Sequence, residues 1–222
     1  MNRYQMLFAP HVWKPKVSPS LVQYLRPFRV RQQQRLIRIS DVQVEGDNIV
    51  RERLDRGDGV MIMPNHSSHA DPYVIYSAAD QIGTALHVMA TWHVFHDKTW
   101  LARWLLTKHG CFSVDREAND IGAFRLATSI LRNEPEPLVI FPEGEIYHCN
   151  DRVTPFREGA AAIAVAAARK CKRPITCIPC AITYRYVHDP TASLLGTMSE
   201  LESSILWRPK TPPKRFFFFW PA

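Results

Sequence analysis

The sequence predicts an α/β fold: a mixed, largely parallel sheet flanked by helices, preceded by a basic N-terminal arm. Two observations predict it. From about residue 41, short apolar runs rich in β-branched residues alternate with segments of helical periodicity. Such alternation places helices on both faces of a sheet. At 222 residues, with 46% hydrophobic and 22% charged content, the chain suits one globular domain with a real core.

Taken in order, residues 1–40 form the arm, its first part made irregular by Pro10, Pro15, Pro19 and Pro27. "GVMIMPN" (59–65) reads as a strand and "DPYVIYSAADQI" (71–82) as a helix. "LHVMAT" (86–91) is a strand and "KTWLARWLLTKH" (98–109) a helix. "CFSVDR" (111–116) is a strand, "DIGAFRLATSILRN" (120–133) a helix, and "EPLVIFPEG" (136–144) a strand. "PFREGAAAIAVAAARK" (155–170) is a helix, and "PITCIPCAITYRY" (174–186) a last long strand. There is no internal repeat. The α/β domain is expected to span 41–207, and 208–222, ending "FFFFWPA", reads as an atypical tail, disordered, truncated or an interfacial anchor.

Charge is unevenly placed. Residues 1–40 hold eight Lys or Arg and no Asp or Glu, leaving 28 − 8 = 20 basic against 21 acidic residues in the remainder. The stretch "LVQYLRPFRVRQQQRLIRIS" mixes aliphatic residues with arginines, a pattern that suits an anionic membrane surface. A helical arm packed on the domain, its arginines solvated, explains it equally well. Zinc-finger spacing and RNA-binding motifs are missing, so nucleic acid is not an expected partner. No apolar run approaches the roughly 18–20 residues of a membrane span, and no secretory leader is evident. Five cysteines without an export signal read as reduced thiols in a cytoplasmic setting. Cys177-Ile-Pro-Cys180 lacks a second pair at metal spacing and reads as buried strand cysteines.

Three apolar runs end in polar residues: "MIMP" at Asn65-His66, "CFSV" at Asp115-Arg116, and "LVIFP" at Glu143-Gly144. Open α/β sheets bind ligands outside the carboxyl ends of their strands. If these strands are parallel neighbours, the three polar groups share one rim.

Within "NHSSHADP", Asp71 suits a helix N-cap and Pro72 a first helical turn. A turn from His66 to Asp71 would also let the carboxylate orient an imidazole and stabilise its protonated form. A histidine that merely satisfies loop backbone is the alternative. A metal-dependent hydrolase using His66, His69 and Asp71 is a third, weakened because Pro72 stands where the H-x-H-x-D-H signature needs its next ligand. Ser67 and Ser68 lack the strained elbow of a nucleophilic serine. Arg116 offers a planar fork suited to phosphate, or else a surface ion pair, and "FPEGE" (141–145) is a carboxylate in a Pro–Gly turn.

In combination, these blocks resemble the glycerolipid acyltransferases, the family of 1-acyl-glycerol-3-phosphate acyltransferase. "NHSSHAD" has their H-x4-D pattern and "GCFSVDR" their G-x-x-F-x-x-R. "FPEG" is similar to their third block and "CIPCAI" (177–182) to their fourth, all in family order over about residues 60–182. The resemblance implies an O-acyltransferase of phospholipid biosynthesis. It would move a fatty acyl group from acyl-CoA or acyl carrier protein to the hydroxyl of a lysophosphatidate-like acceptor, at the inner face of a membrane to which it is peripheral. His66 would be general base and Asp71 its orienting partner. Arg116, Glu143 and Gly144 would line the acceptor pocket, shaped by Gly110, Phe112 and Pro142. No cofactor and no metal are implied. One departure stands out: after "FPEG" the family commonly continues with a small hydroxyl residue and Arg, whereas here Glu145-Ile146-Tyr147 follow. Arg152 or Arg157 could offset that charge, and a different lipid alcohol or an amine becomes an alternative acceptor.

Overall fold

The computed structural model describes residues 10–169 and 172–205. Cys171 and the 208–222 tail lie outside the described residues. Two compact units divide the chain between Thr183 and Tyr184. Within the second, one helix, Thr191–Ser204, is described. In the first, helices α1 (Pro19–Tyr24) and α2 (Arg26–Gln32) lead through a short π-helical turn (Gln33–Ile37) to α3 (Asp47–Asp55). There follow β1 (Gly59–Pro64), α4 (Asp71–Ile82), β2 (His87–Thr91), α5 (His93–His96), α6 (Trp100–Lys108) and β3 (Cys111–Val114). Helix α7 (Ile121–Asn133), β4 (Leu138–Val139), α8 (Glu158–Ala168) and β5 (Ile175–Cys180) complete it.

The strands lie in the order β3-β2-β4-β1-β5, and every pairing among them is parallel. The expected sheet was mixed and largely parallel; the described sheet is parallel throughout, because a helical segment joins each strand to the next. All five carboxyl ends therefore emerge on one edge. The core gathers Met61, Phe112, Ala127, Leu131, Leu138 and Ile163 between the sheet and the helices α7 and α8.

Several boundaries differ from the sequence reading for identifiable reasons. The 136–144 segment keeps only two ladder residues, because Pro137 and Pro142 cannot donate to a ladder. Ile140 still donates to Ile62 O at 3.1 Å. Strand β5 stops at Cys180, and it is an edge strand, so Cys177 is exposed and Cys180 half-buried where buried cysteines were expected. Three residues apart on a strand, the two thiols sit on opposite faces. In the arm, Pro19 and Pro27 open helices instead of breaking them, since the first turn has no hydrogen bond for proline to lose.

The arm packs on the body. Trp13 and Ser113 exchange hydrogen bonds along the outer side of β3, and Lys16 N–H donates to Thr107 O at 2.8 Å. Arg29 grips Asp80 of α4 with Nη2 at 2.6 and 2.7 Å from the two carboxylate oxygens. Ser77 of α4 donates to the Gln33 side chain at 2.6 Å. Tyr24, Phe28 and Leu36 nonetheless remain exposed. No described helix is long and apolar enough to cross a membrane.

Candidate active site

Strand β1 ends at Pro64, and Asn65 carries its pairing one step further. The buried Asn65 amide donates to Ile182 O at 3.0 Å and accepts from Ile182 N–H at 2.6 Å. This clamp fixes the point at which the chain leaves the sheet, so His66 begins a loop with a defined origin. Helix α4 starts five residues later at Asp71, with Pro72 in its first turn. Asp71 was expected as the N-cap; Ala70 occupies that position and Asp71 is the first helical residue. Its carboxylate turns back along the loop instead. Asp71 Oδ2 accepts the Ser68 N–H at 2.9 Å and lies 2.8 Å from His66 Nδ1. Ser68 O in turn accepts the Asp71 N–H at 3.1 Å, and Ser68 Oγ the Ala70 N–H. The carboxylate is fully buried at a helix N-terminus, where the backbone dipole favours an anion.

The imidazole of His66 stacks on Phe141, with ring centroids 4.2 Å apart. With Nδ1 engaged by Asp71, Nε2 is the nitrogen left to meet a substrate. Ser67 is buried, which removes it as a nucleophile.

The loop after β4 supplies the second half of the site. Glu143 is buried, and its carboxylate bridges two chain segments. Oε1 accepts the His66 backbone N–H at 2.7 Å; Oε2 accepts the Thr154 N–H at 2.9 Å and the Thr154 hydroxyl. Burial pushes this carboxyl upward. The Thr154 hydroxyl and N–H, the His66 N–H and the His66 charge together outweigh burial and hold its pKa below the ordinary value. Gly144 sits at φ 76°, and a Cβ there would lie 2.6 Å from Arg157 Nε. Arg116, beyond the end of β3, donates through Nη1 to Gly144 O. Arg157 in turn pairs with Glu145, Nη2 to Oε1 at 2.6 Å.

These groups border a cleft of about 1330 Å³. His66, Arg116, Pro142 and Gly144 line it, joined by Glu145 and Arg157. Leu25 and Phe28 of the arm and Leu105 and Leu106 of α6 contribute apolar lining. Asp71 stands behind His66, and the Glu143 carboxylate is taken up by the two loops it joins. Gly110 and Phe112 are placed elsewhere. Gly110, at φ 83°, lets β3 start against Leu86 O, which a Cβ would meet at 1.9 Å. Phe112 is fully buried in the core. Neither lines the cleft.

The alternative set of His66, His69 and Asp71 does not assemble as metal ligands. Asp71 Oδ2 is committed to His66 and Ser68, while exposed His69 leans on the His148 ring at 5.6 Å. Sequence reasoning missed Phe141 and Thr154. Phe141 is the first residue of "FPEG" itself and was within reach of inspection; Thr154 carries no signal at all.

A family model described as Acyltransferase matches residues 41–183. Comparison with curated proteins gives no match.

Proposed function

From the premise that this chain belongs to the Acyltransferase family and is an acyltransferase, we propose that it moves a fatty acyl group from a thioester of coenzyme A or acyl carrier protein to the hydroxyl of a lysophosphatidate-like glycerolipid. The observation that carries this reading is the 2.8 Å contact between His66 Nδ1 and Asp71 Oδ2 at the wall of a large, partly apolar cleft.

Catalysis follows from that contact. His66 Nε2 removes the acceptor proton as the hydroxyl oxygen attacks the thioester carbonyl. The buried Asp71 anion stabilises the imidazolium that results and holds its tautomer. The tetrahedral intermediate collapses, its carbon–sulfur bond breaks, and the imidazolium returns the proton to the departing thiolate. Phe141 limits ring rotation by stacking. Glu143 holds the His66 backbone, so the base starts from a fixed position.

Arg116 at the cleft edge supports an acidic acceptor, because a guanidinium matches phosphate oxygens with paired donors. The arm supports peripheral attachment: exposed Tyr24, Phe28 and Leu36 stand among Arg26, Arg31 and Arg35. Trp100, Leu101 and Trp104 of α6 add further exposed apolar surface.

The test is acyl transfer by purified protein from acyl-CoA or acyl carrier protein to a panel of lyso-lipids, with His66→Ala as control. Transfer to lysophosphatidate that is lost in His66→Ala supports the reading. Reaction with unphosphorylated acceptors alone would remove the phosphate role from Arg116, and activity retained in His66→Ala would remove the mechanism.

A further inference from the structure

At the opposite edge of the sheet, where the strands begin, a second hollow of about 290 Å³ opens. It shares no lining residue with the catalytic cleft. Three of its lining residues, His87, Glu134 and Glu136, come from segments tied together by the sheet itself. His87 is the first residue of β2; its N–H donates to Pro137 O at 2.9 Å, and it pairs in register with Leu138 of β4. Glu134 caps the end of α7, donating to Ile130 O at 2.9 Å, and Glu136 follows two residues later. Pro135 and Pro137 alternate with the two glutamates and restrict that loop.

His87 is only 4% exposed, yet neither ring nitrogen has a hydrogen-bond partner. The nearest anion, Glu136 Oε2, is 3.8 Å from Nε2, beyond hydrogen-bond range. An unpaired buried polar group is costly and asks for a ligand. Burial pushes the His87 pKa down, against the opposing field of Glu134. One ligand atom from each of His87, Glu134 and Glu136 lies within 4.8 Å of the others. Ligands at about 2.0–2.2 Å from a shared tetrahedral ion stand roughly 3.3–3.6 Å apart, so side-chain rotations that draw the three atoms together by about 1 Å close the set.

The geometry points to a site for a divalent first-row transition ion, Zn²⁺ being one that it suits, held by the imidazole of His87 and the carboxylates of Glu134 and Glu136. One nitrogen and two oxygens are a donor set for such ions, with water filling the remaining positions. Lys14 lines the same hollow, but its side chain is exposed and can swing into solvent as a cation enters. The bound ion ties the end of α7 to the start of β2 at the edge remote from the chemistry. Its role is structural, and acyl transfer does not pass through it.

Full-length protein, stripped with a chelator and dialysed, is titrated with Zn²⁺ alone by calorimetry, and melting is followed with and without the ion. One equivalent binds and raises the melting temperature, as binding to the folded state requires. In the E134Q/E136Q double variant the affinity falls by about 100-fold or more and the melting shift disappears, since two of three ligands lose their charge. Should the metal-free double variant melt early, E134Q alone, at an exposed position, carries the same comparison. Undiminished binding in these variants, as would follow from sequestration by His69 and His148, overturns the site; so does failure of the parent protein to bind Zn²⁺.

Discussion

Two loops leave the same edge of the sheet, one after β1 and one after β4, and a buried carboxylate is tied to each with opposite employment: Asp71 where the first loop enters α4, Glu143 within the second. Asp71 gives its oxygen to a side chain, the Nδ1 of His66, as well as to the Ser68 N–H. Glu143 gives both oxygens to the backbone and hydroxyl of fixed segments, His66 and Thr154. Under the proposed mechanism, the first arrangement prepares a group to change its protonation state. The second prepares a place for that group to stand. Chemistry and scaffold are thus separated residue by residue, although both carboxylates approach the same histidine. The difference teaches that two buried carboxylates beside one histidine are told apart by the atom each contacts, the ring Nδ1 for Asp71 and the backbone N–H for Glu143.

The comparison predicts a sharp divergence among variants. His66→Ala has the largest effect on rate, a loss of about 10²–10⁴-fold in kcat, because general-base assistance is removed outright. Its melting temperature stays close to that of the parent, which thermal denaturation beside the activity assay checks. Asp71→Asn retains an acceptor for the Ser68 N–H but loses the anion facing the imidazole, so kcat falls by roughly 10²–10³-fold. Asp71→Ala adds a stability loss of about 1–3 kcal/mol, because the Ser68 N–H is left without its partner. If Asp71→Asn were as active as the parent, the two carboxylates would no longer differ in kind.

Glu143→Gln reverses the emphasis. The neutral amide offers one acceptor in place of two, so unfolding free energy drops by about 1–3 kcal/mol while kcat changes less than in either preceding variant. The folded-state pKa of Glu143 lies below its ordinary value. Its contribution to stability is therefore fully present above the unfolded-state value of about 4.3 and is lost as pH falls through the lower folded value. Melting curves of parent and Glu143→Gln, separated at pH 7, are expected to converge as the solution is acidified through that window. A gap that stays constant to low pH would mean that the carboxylate charge contributes nothing to holding the loops.

Much of this division was legible in the sequence, though unevenly. His66 and Asp71 were readable as a pair because five residues suffice to turn a strand end into a helix start, although the same spacing suited a loop histidine equally well. The convergence of Arg116 and Gly144 on the same edge followed from parallel strands ending in polar residues. The function of Glu143 was not readable, since its partners are a backbone N–H 77 positions earlier and a threonine 11 positions later, and neither leaves a pattern. Gly110 and Phe112 belong to the second motif, yet Gly110 serves the close approach of β3 to Leu86 and Phe112 serves the core. Asp71 was displaced by one position from the expected cap because its carboxylate is claimed by the preceding loop. The arm prolines read as breaks although two of them open helices; proline forbids helix interiors, not helix beginnings.

The smallest effect concerns the second loop's outer surface, where Glu145 follows Gly144. Its carboxylate holds Arg157 at 2.6 Å, and both side chains are about half exposed, at 53% and 55%. An ion pair so open to water contributes about 0–1 kcal/mol, so Glu145→Ser leaves the melting temperature nearly unchanged. What the variant changes is the charge at the cleft, which both residues line. Arg157 loses its anion and becomes available beside Arg116, so a phosphorylated acceptor binds more tightly and its KM falls by roughly two- to fivefold, the equivalent of that same 0–1 kcal/mol. An unphosphorylated acceptor should show no such change, and kcat for both should hold because His66 and Asp71 are untouched. The ratio of the two KM values is therefore the quantity to measure, at low and high salt, with the gain for the phosphorylated acceptor shrinking as salt screens the exposed guanidinium. An equal KM change for both acceptors would show that Glu145 shapes the loop and does not select by charge.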